Sequence, residues 1–149
     1  RQSCFALLGD LAVGCFEHIR PYVPELLPRL TEEIDVNFQF VSVCNNAAWA
    51  AGEIALKYGA ETRPYVQPML ERLVPLLVYN EAHGITGKAG GSRADADDDD
   101  ERGRKESGVP PMLAENCAIT TGRLGLVCTN LVAPHLESFV ASWCVAFAH

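Results

Sequence analysis

Six cysteines, four histidines and one run of acidic residues are the side chains in this sequence that could carry chemistry. The cysteines stand at positions 4, 15, 44, 117, 128 and 144. No two of them form a CxxC pair, and no Cys/His group has the spacing of a zinc site. Cys4, Cys15, Cys117 and Cys128 lie in apolar segments and read as small core residues, which suggests a reducing compartment. His18, His83, His135 and His149 make no constellation with a carboxylate and a nucleophile. Ser3, Ser42 and Ser142 have no base at a telling spacing. An enzyme reading therefore has no positive support. No catalytic residue, metal or cofactor is expected.

The acidic run deserves a closer test. Asp95, Asp97, Asp99 and Glu106 fall at positions 1, 3, 5 and 12 of an EF-hand loop. Position six, where the turn needs Gly, is Asp100, and position eight is Arg102. No entering helix abuts the run, so the spacing reads as chance in an Asp-rich loop. The GKAGGS stretch lacks both the GxxxxGK[ST] frame and a preceding strand, so it is no phosphate loop. Segment 82–110 as a whole replaces apolar residues with Gly, Ser, Asp and Lys/Arg. It holds seven acidic and five basic residues. Such a composition cannot bury enough surface to fold, so a disordered insertion is expected there.

The elements on either side repeat. FALLGDLAVG, AAWAAGEIALKYG and AITTGRLGLVC align on Gly9, Gly52 and Gly122. The next residues are Asp10, Glu53 and Arg123. Twelve positions after each glycine comes a proline: Pro21, Pro64 and Pro134. Nine positions after each proline comes a large apolar residue: Leu30, Leu73 and Trp143. The first two glycines are 43 residues apart and the next two 70, so the second interval carries an insertion of about 27 residues. A period near 43 built of paired helices points to HEAT or armadillo repeats.

Apolar spacing of three and four predicts six helices, near 3–18, 22–33, 38–58, 65–79, 111–128 and 132–147. Pro21, Pro64 and Pro134 suit helix starts, where a missing N–H costs nothing. Gly59 suits a C-terminal cap. The fold expected is therefore all-α: a HEAT-repeat α-solenoid of about three repeats. Its repeats would occupy 1–81 and 111–149, interrupted by 82–110. Proline-opened A helices alternate with longer B helices, starting on a B helix and ending on an A helix. The absence of an initiator Met and the apolar final stretch suggest an internal fragment.

Of 149 residues, 48% are apolar, and the net charge is −7. An acidic chain argues against nucleic acid as main partner, because phosphate binding wants a basic face. It suits a basic protein or peptide. No signal peptide is visible, and no apolar run is long enough to span a bilayer. Cytosol or nucleus follows.

On the helix around Trp49, the core row is Val43, Ala47, Ala50/Ala51, Ile54 and Tyr58. Trp49 lies off that row, with Asn45, Asn46, Gly52 and Glu53 as its helical neighbours. Ile119 takes the same place among Glu115, Asn116, Gly122 and Arg123. Ala6 does so among Gln2, Ser3, Gly9 and Asp10. Stacked B helices would set these rows side by side, as a ladder of acidic and amide groups around two apolar anchors. A Trp with polar flanks resembles a binding hot spot, and Asn can hold an extended peptide backbone. Equally, Trp49 could fill space between repeats, because a HEAT helix buries two sides.

RQSCFALLGDL, FVSVCNNAAWAAGEIALKYG, PYVQPMLERLVPLL, ENCAITTGRLGLVC and VAPHLESFVASWC closely resemble consecutive segments of the transportins, importin-beta-type nuclear import receptors. The resemblance covers nearly the whole chain outside the insertion, and its NNAAWAAGEI and ENCAITTGRLG blocks go beyond a general HEAT match. It implies a late portion of a superhelix of about twenty HEAT repeats. Concave B helices there bind extended basic signals ending in proline–tyrosine, late repeats taking the upstream hydrophobic or basic part. Family contact positions fall on Asp10, Val41, Asn45, Trp49, Asn116 and Ile119; the ladder adds Glu53. The partners implied are cargo proteins with basic nuclear localisation signals, nucleoporins, and Ran GTPase through repeats outside this fragment. Neither direct nucleic-acid nor membrane contact is implied, and the localisation is cytoplasm and nucleus. Val41 replaces a bulkier aliphatic residue, and the insertion has no counterpart in the family. The family's acidic loop, which couples Ran binding to cargo release, lies in an earlier repeat, so its role does not transfer to Asp95–Glu101.

Overall fold

The apolar rows fold as helices with no strand among the described residues. The computed structural model describes residues 2–85 and 108–148. Three long helices carry the repeated glycines: α1 (Gln2–Ile19), α3 (Val41–Tyr58) and α5 (Pro111–Val127). α1 packs on α3 and α3 on α5, which makes one layer. The partner layer is α2 (Val23–Glu33), α4 (Arg63–Ala82) and α7 (Leu136–Ala146), stacked in the same order beside it. The architecture is the two-layer all-α solenoid that the repeats predict, with the glycine-bearing helices as B and the proline-opened ones as A.

The core lies between the layers. Val23, Leu27 and Leu30 of α2 and Ile54 of α3 are all fully buried there. Val66, Met69, Leu70, Leu73, Leu76 and Leu77 are the buried face of α4. Each such side chain contributes about 1.5–3 kcal/mol by leaving water. That offsets Pro68 and Pro75, which sit inside α4 and each remove a backbone hydrogen bond. The middle helix α3 has a B helix on both sides, so Ala47, Ala48, Ala50, Ala51, Ile54 and Ala55 are all fully buried.

The junctions explain the repeated punctuation. Gly59 caps α3 at φ 63, its N–H bonded to the carbonyl of Ala55, a conformation open to glycine without strain. Pro21, Pro64 and Pro134 lie in the first turns that lead into α2, α4 and α7. Cys15 and Cys128 each stand six positions after a repeated glycine, and this cysteine repeat also has a backbone meaning. Cys15 (φ −150, ψ 49) breaks α1 near its end, and Cys128 (φ −140, ψ 61) separates α5 from the single-turn helix α6 (Thr129–Val132). The last two expected helices thus divide into α5, α6, a short 3-10 turn and α7.

Three expectations are corrected. The helix expected from 38 starts at Val41, because the Asp35 side chain accepts the Asn37 N–H at 2.8 Å and closes a turn first. The segment expected as loop from 82 to 110 is ordered at its ends. Asn80 donates to the Val109 carbonyl at 3.0 Å and accepts its N–H at 2.8 Å, and Val109 is buried. The remaining expectations for that segment, including the acid run, lie outside the described residues. Cys4 is exposed rather than core. Its counterparts Ala47 and Cys117 are buried because each has a B helix packed ahead of it, and α1 has none in this chain. Cys15 is half-buried, while Cys117 and Cys128 are buried as expected.

The B helices touch where side chains are smallest. A Cβ at Gly52 would stand 2.5 Å from Thr120 Oγ1, and that hydroxyl donates to the Ala48 carbonyl at 2.7 Å in a buried bond. Gly14 has open space around it. Gly52→Ala is therefore expected to destabilise the α3–α5 pair by about 1–3 kcal/mol through overpacking, outweighing the ~1 kcal/mol gain in helix propensity. Gly14→Ala should be neutral or slightly stabilising. Hydrogen–deuterium exchange of α3 and α5 amides in the complete protein checks both, and unchanged protection in Gly52→Ala contradicts the contact.

Candidate functional site

The face of the B layer turned away from α2 and α4 carries the ladder. On α3 its least covered line runs through Ser42, Asn45, Asn46 and Trp49, then Leu56. On α5 the corresponding line is Met112, Glu115, Asn116, Ile119 and Leu126. Four contacts set the register of this face, two between α3 and α5 and two between α3 and α1. Asn116 Nδ2 donates to Asn45 Oδ1 at 2.8 Å. Arg123 Nη1 reaches Glu53 Oε1 at 2.7 Å. Asn46 Nδ2 donates to the Gln2 carbonyl at 3.3 Å. The six-membered ring of Trp49 rests against Gly9 so closely that an added Cβ would overlap it. Trp49 and Ile119 therefore lie between the amide pair and the ion pair on adjacent helices.

Each expected site residue can now be placed. Asp10 is exposed on α1, with no ion pair among the described residues. Val41 opens α3, half-buried and packed against the core. Asn45 and Asn116 are half-buried and bonded to one another, which uses one acceptor and one donor and leaves further donors and acceptors on both. Ile119 is half-buried. Glu53 is only 8% exposed, and its carboxylate is taken up by Arg123. That pair neutralises the middle rung of the ladder, so Asp10 and Glu115 are the acids there that stay open to solvent.

Trp49 falls between the two alternatives that the sequence left open. It is neither sealed nor free: one ring face is covered by α1, and the residue as a whole is only partly buried. The other tryptophan supplies a contrast. Trp143 donates its Nε1–H to the Ala118 carbonyl at 2.8 Å and lies over Gly122, so its polar atom is spent within the fold. Trp49 Nε1 has no partner among the described residues. A half-buried indole with an unspent donor costs something to hold in place, and a ligand carbonyl would satisfy it.

Sequence reasoning missed the partners that set this geometry. Thr120 entered only as a member of a repeat, and Arg123 and Gly9 only as repeat positions and helical neighbours of Ile119 and Ala6, with no partner on another helix. The signal was present for Arg123, since a basic residue stands where the other repeats carry Asp10 and Glu53. A second group was missed at the layer edge. Arg20 lies over the rings of Phe16 and Tyr58, at 5.0 and 5.8 Å, and reaches Glu61 at 3.4 Å, tying the α1–α2 junction to the next one. On the opposite side Arg72 joins Asp35 at 2.8 Å. Burial pushes the Cys44 thiol up to about 11, with the nearby Asp35 charge adding to the rise. Burial also raises Cys117 well above its ordinary value. Both remain neutral packing groups. Among the described residues no cluster of His, Cys, Asp and Glu could hold a metal ion.

No protein-family profile matches the chain. Among curated proteins it is similar to Transportin-1 of Homo sapiens and of Mus musculus, 38% identical over 146 residues, which is 98% of this chain and 13% of the relative. Importin subunit beta-2 of Schizosaccharomyces pombe is 38% identical over 96% of this chain and 13% of its own length. Transportin-1 of Oryza sativa is 36% identical over 98% of this chain and 14% of its own length. The chain thus spans about an eighth of the length of the curated relatives that it matches.

The ion pair offers a direct check on the ladder's electrostatics. Glu53 and Arg123 side chains are 11% and 23% exposed, so removing one partner leaves a mostly buried charge. Arg123→Met is expected to destabilise the α3–α5 contact by about 2 kcal/mol or more, and adding Glu53→Gln should recover much of that loss. Hydrogen exchange or limited proteolysis of the complete protein measures it. Equal stability of the single and double variants contradicts the pairing.

Proposed function

Over the stretch that it spans, this chain belongs to the transportin family, and from that premise we propose that it is part of a nuclear import receptor. In this reading it binds basic proline–tyrosine-type nuclear localisation signals of cargo proteins on its concave face. No chemical step is involved. The receptor works in cytoplasm and nucleus, engages nucleoporins, and meets Ran GTPase through repeats beyond this chain.

The observation that carries the reading is the state of Trp49: partly buried, one face seated, its N–H without a partner among the described residues, in a row with amides that retain further donors and acceptors. An extended peptide crossing that row would lay an apolar side chain on the open ring. The peptide backbone would bond to Asn45 and Asn116, whose amides both donate and accept. Ile119 gives a second apolar contact one helix further on. Asp10 and the chain's net charge of −7 favour encounter with a basic signal.

A static HEAT scaffold for complex assembly is the alternative. It calls for an indole whose polar atom is satisfied inside the packing. Trp143 meets that description, and Trp49 does not. The distinction supports recognition at Trp49.

Trp49→Ala in the complete protein is expected to weaken a fluorescent basic proline–tyrosine peptide by about 2 kcal/mol or more, roughly thirty-fold. Fluorescence anisotropy measures it, with circular dichroism to verify folding. Unchanged affinity in a folded variant contradicts the reading.

A further inference from the structure

The indole of Trp49 owes its position to a residue on another helix. Gly9 is buried within α1, and the Trp49 ring atoms Cζ3, Cε3 and Cη2 are the nearest atoms to where its side chain would begin. These atoms belong to the six-membered ring. The pyrrole edge, with Nε1, therefore lies on the far side from the seat. The Asn46–Gln2 bond, 3.3 Å long and three residues before Trp49, holds the same two helices together.

We propose that Gly9 is a positioning residue for recognition, one that immobilises the Trp49 ring before any ligand arrives. The proposal rests on the reading of Trp49 as a cargo contact. It assigns to α1 a role that needs no ligand contact from Gly9 itself. The absent Cβ lets the ring lie flat on backbone, which covers one face and leaves the opposite face and the N–H edge for a peptide. An indole held in one orientation loses little side-chain freedom on binding, which a freely rotating one would have to give up. Any side chain at position 9 must displace the ring from its seat.

The test is a double-mutant cycle on the complete protein, read by anisotropy with a fluorescent basic proline–tyrosine peptide carrying an apolar segment upstream. Gly9→Ala should weaken the peptide at least ten-fold in the otherwise unchanged protein. In a Trp49→Ala background the same substitution should change affinity by less than two-fold, because no ring remains to displace. Equal weakening in both backgrounds, or no weakening in the first, overturns the proposal. Loss of affinity in Trp49→Ala with none in Gly9→Ala sinks this inference alone. No loss in Trp49→Ala sinks the functional reading beneath it. Should Gly9→Ala fail to fold, the unsubstituted protein still decides. With 5-fluorotryptophan incorporated and the Trp49 signal assigned by Trp49→Phe, its 19F resonance should be a single line before peptide is added. Several exchanging lines that merge only on binding overturn the proposal.

Discussion

Everything on the candidate face depends on how closely the B helices approach one another. At Gly52 the approach admits the Thr120 side chain, whose hydroxyl bonds the Ala48 carbonyl. At Gly9 it admits an indole ring. Helices that carry side chains at their crossing points sit further apart. The side-chain pairs at 2.7 and 2.8 Å between α3 and α5 would then have to stretch or break. The glycine repeated along the chain is thus a spacing device. It puts equivalent residues of successive repeats within bonding distance, so that a sequence period becomes a line of chemistry on one surface.

That line is more selective than its composition suggests. Glu53 is held by Arg123 and nearly buried, so it contributes packing and register more than attraction for a basic ligand. Asn45 and Asn116 are bonded to each other yet keep unused hydrogen-bonding capacity. What the face offers is an apolar strip, Trp49 and Ile119, bordered by amides and by the exposed carboxylates of Asp10 and Glu115. The two tryptophans mark the boundary between scaffold and surface. Both are half-buried and both lie over a repeated glycine, but among the described residues only Trp143 finds a partner for its N–H.

Much of this was legible in the sequence, and the rest was hidden for identifiable reasons. Periodicity was enough to locate the paired helices, the two layers and the proline-led junctions, because apolar spacing and φ-restricted residues act locally. The row containing Trp49 could be placed off the core face for the same reason. Side-chain partners 70 residues apart could not be read that way. Arg123 meets Glu53 only because a spacing of 43 residues and an insertion bring their helices together. The fate of Cys4 depended on which repeats are present on either side of α1, and the start of α3 depended on one Asp35 hydrogen bond. The repeat in Cys15 and Cys128 looked like core packing and proved also to mark a backbone break.

The most direct test is a structure of the complete protein bound to a basic proline–tyrosine peptide with an apolar segment upstream. The account predicts peptide along the open face of α1, α3 and α5. A side chain should lie on the uncovered face of Trp49, and backbone bonds should run to Asn45 or Asn116. A peptide bound elsewhere, with the indole solvated or re-packed into the helix interface, contradicts it.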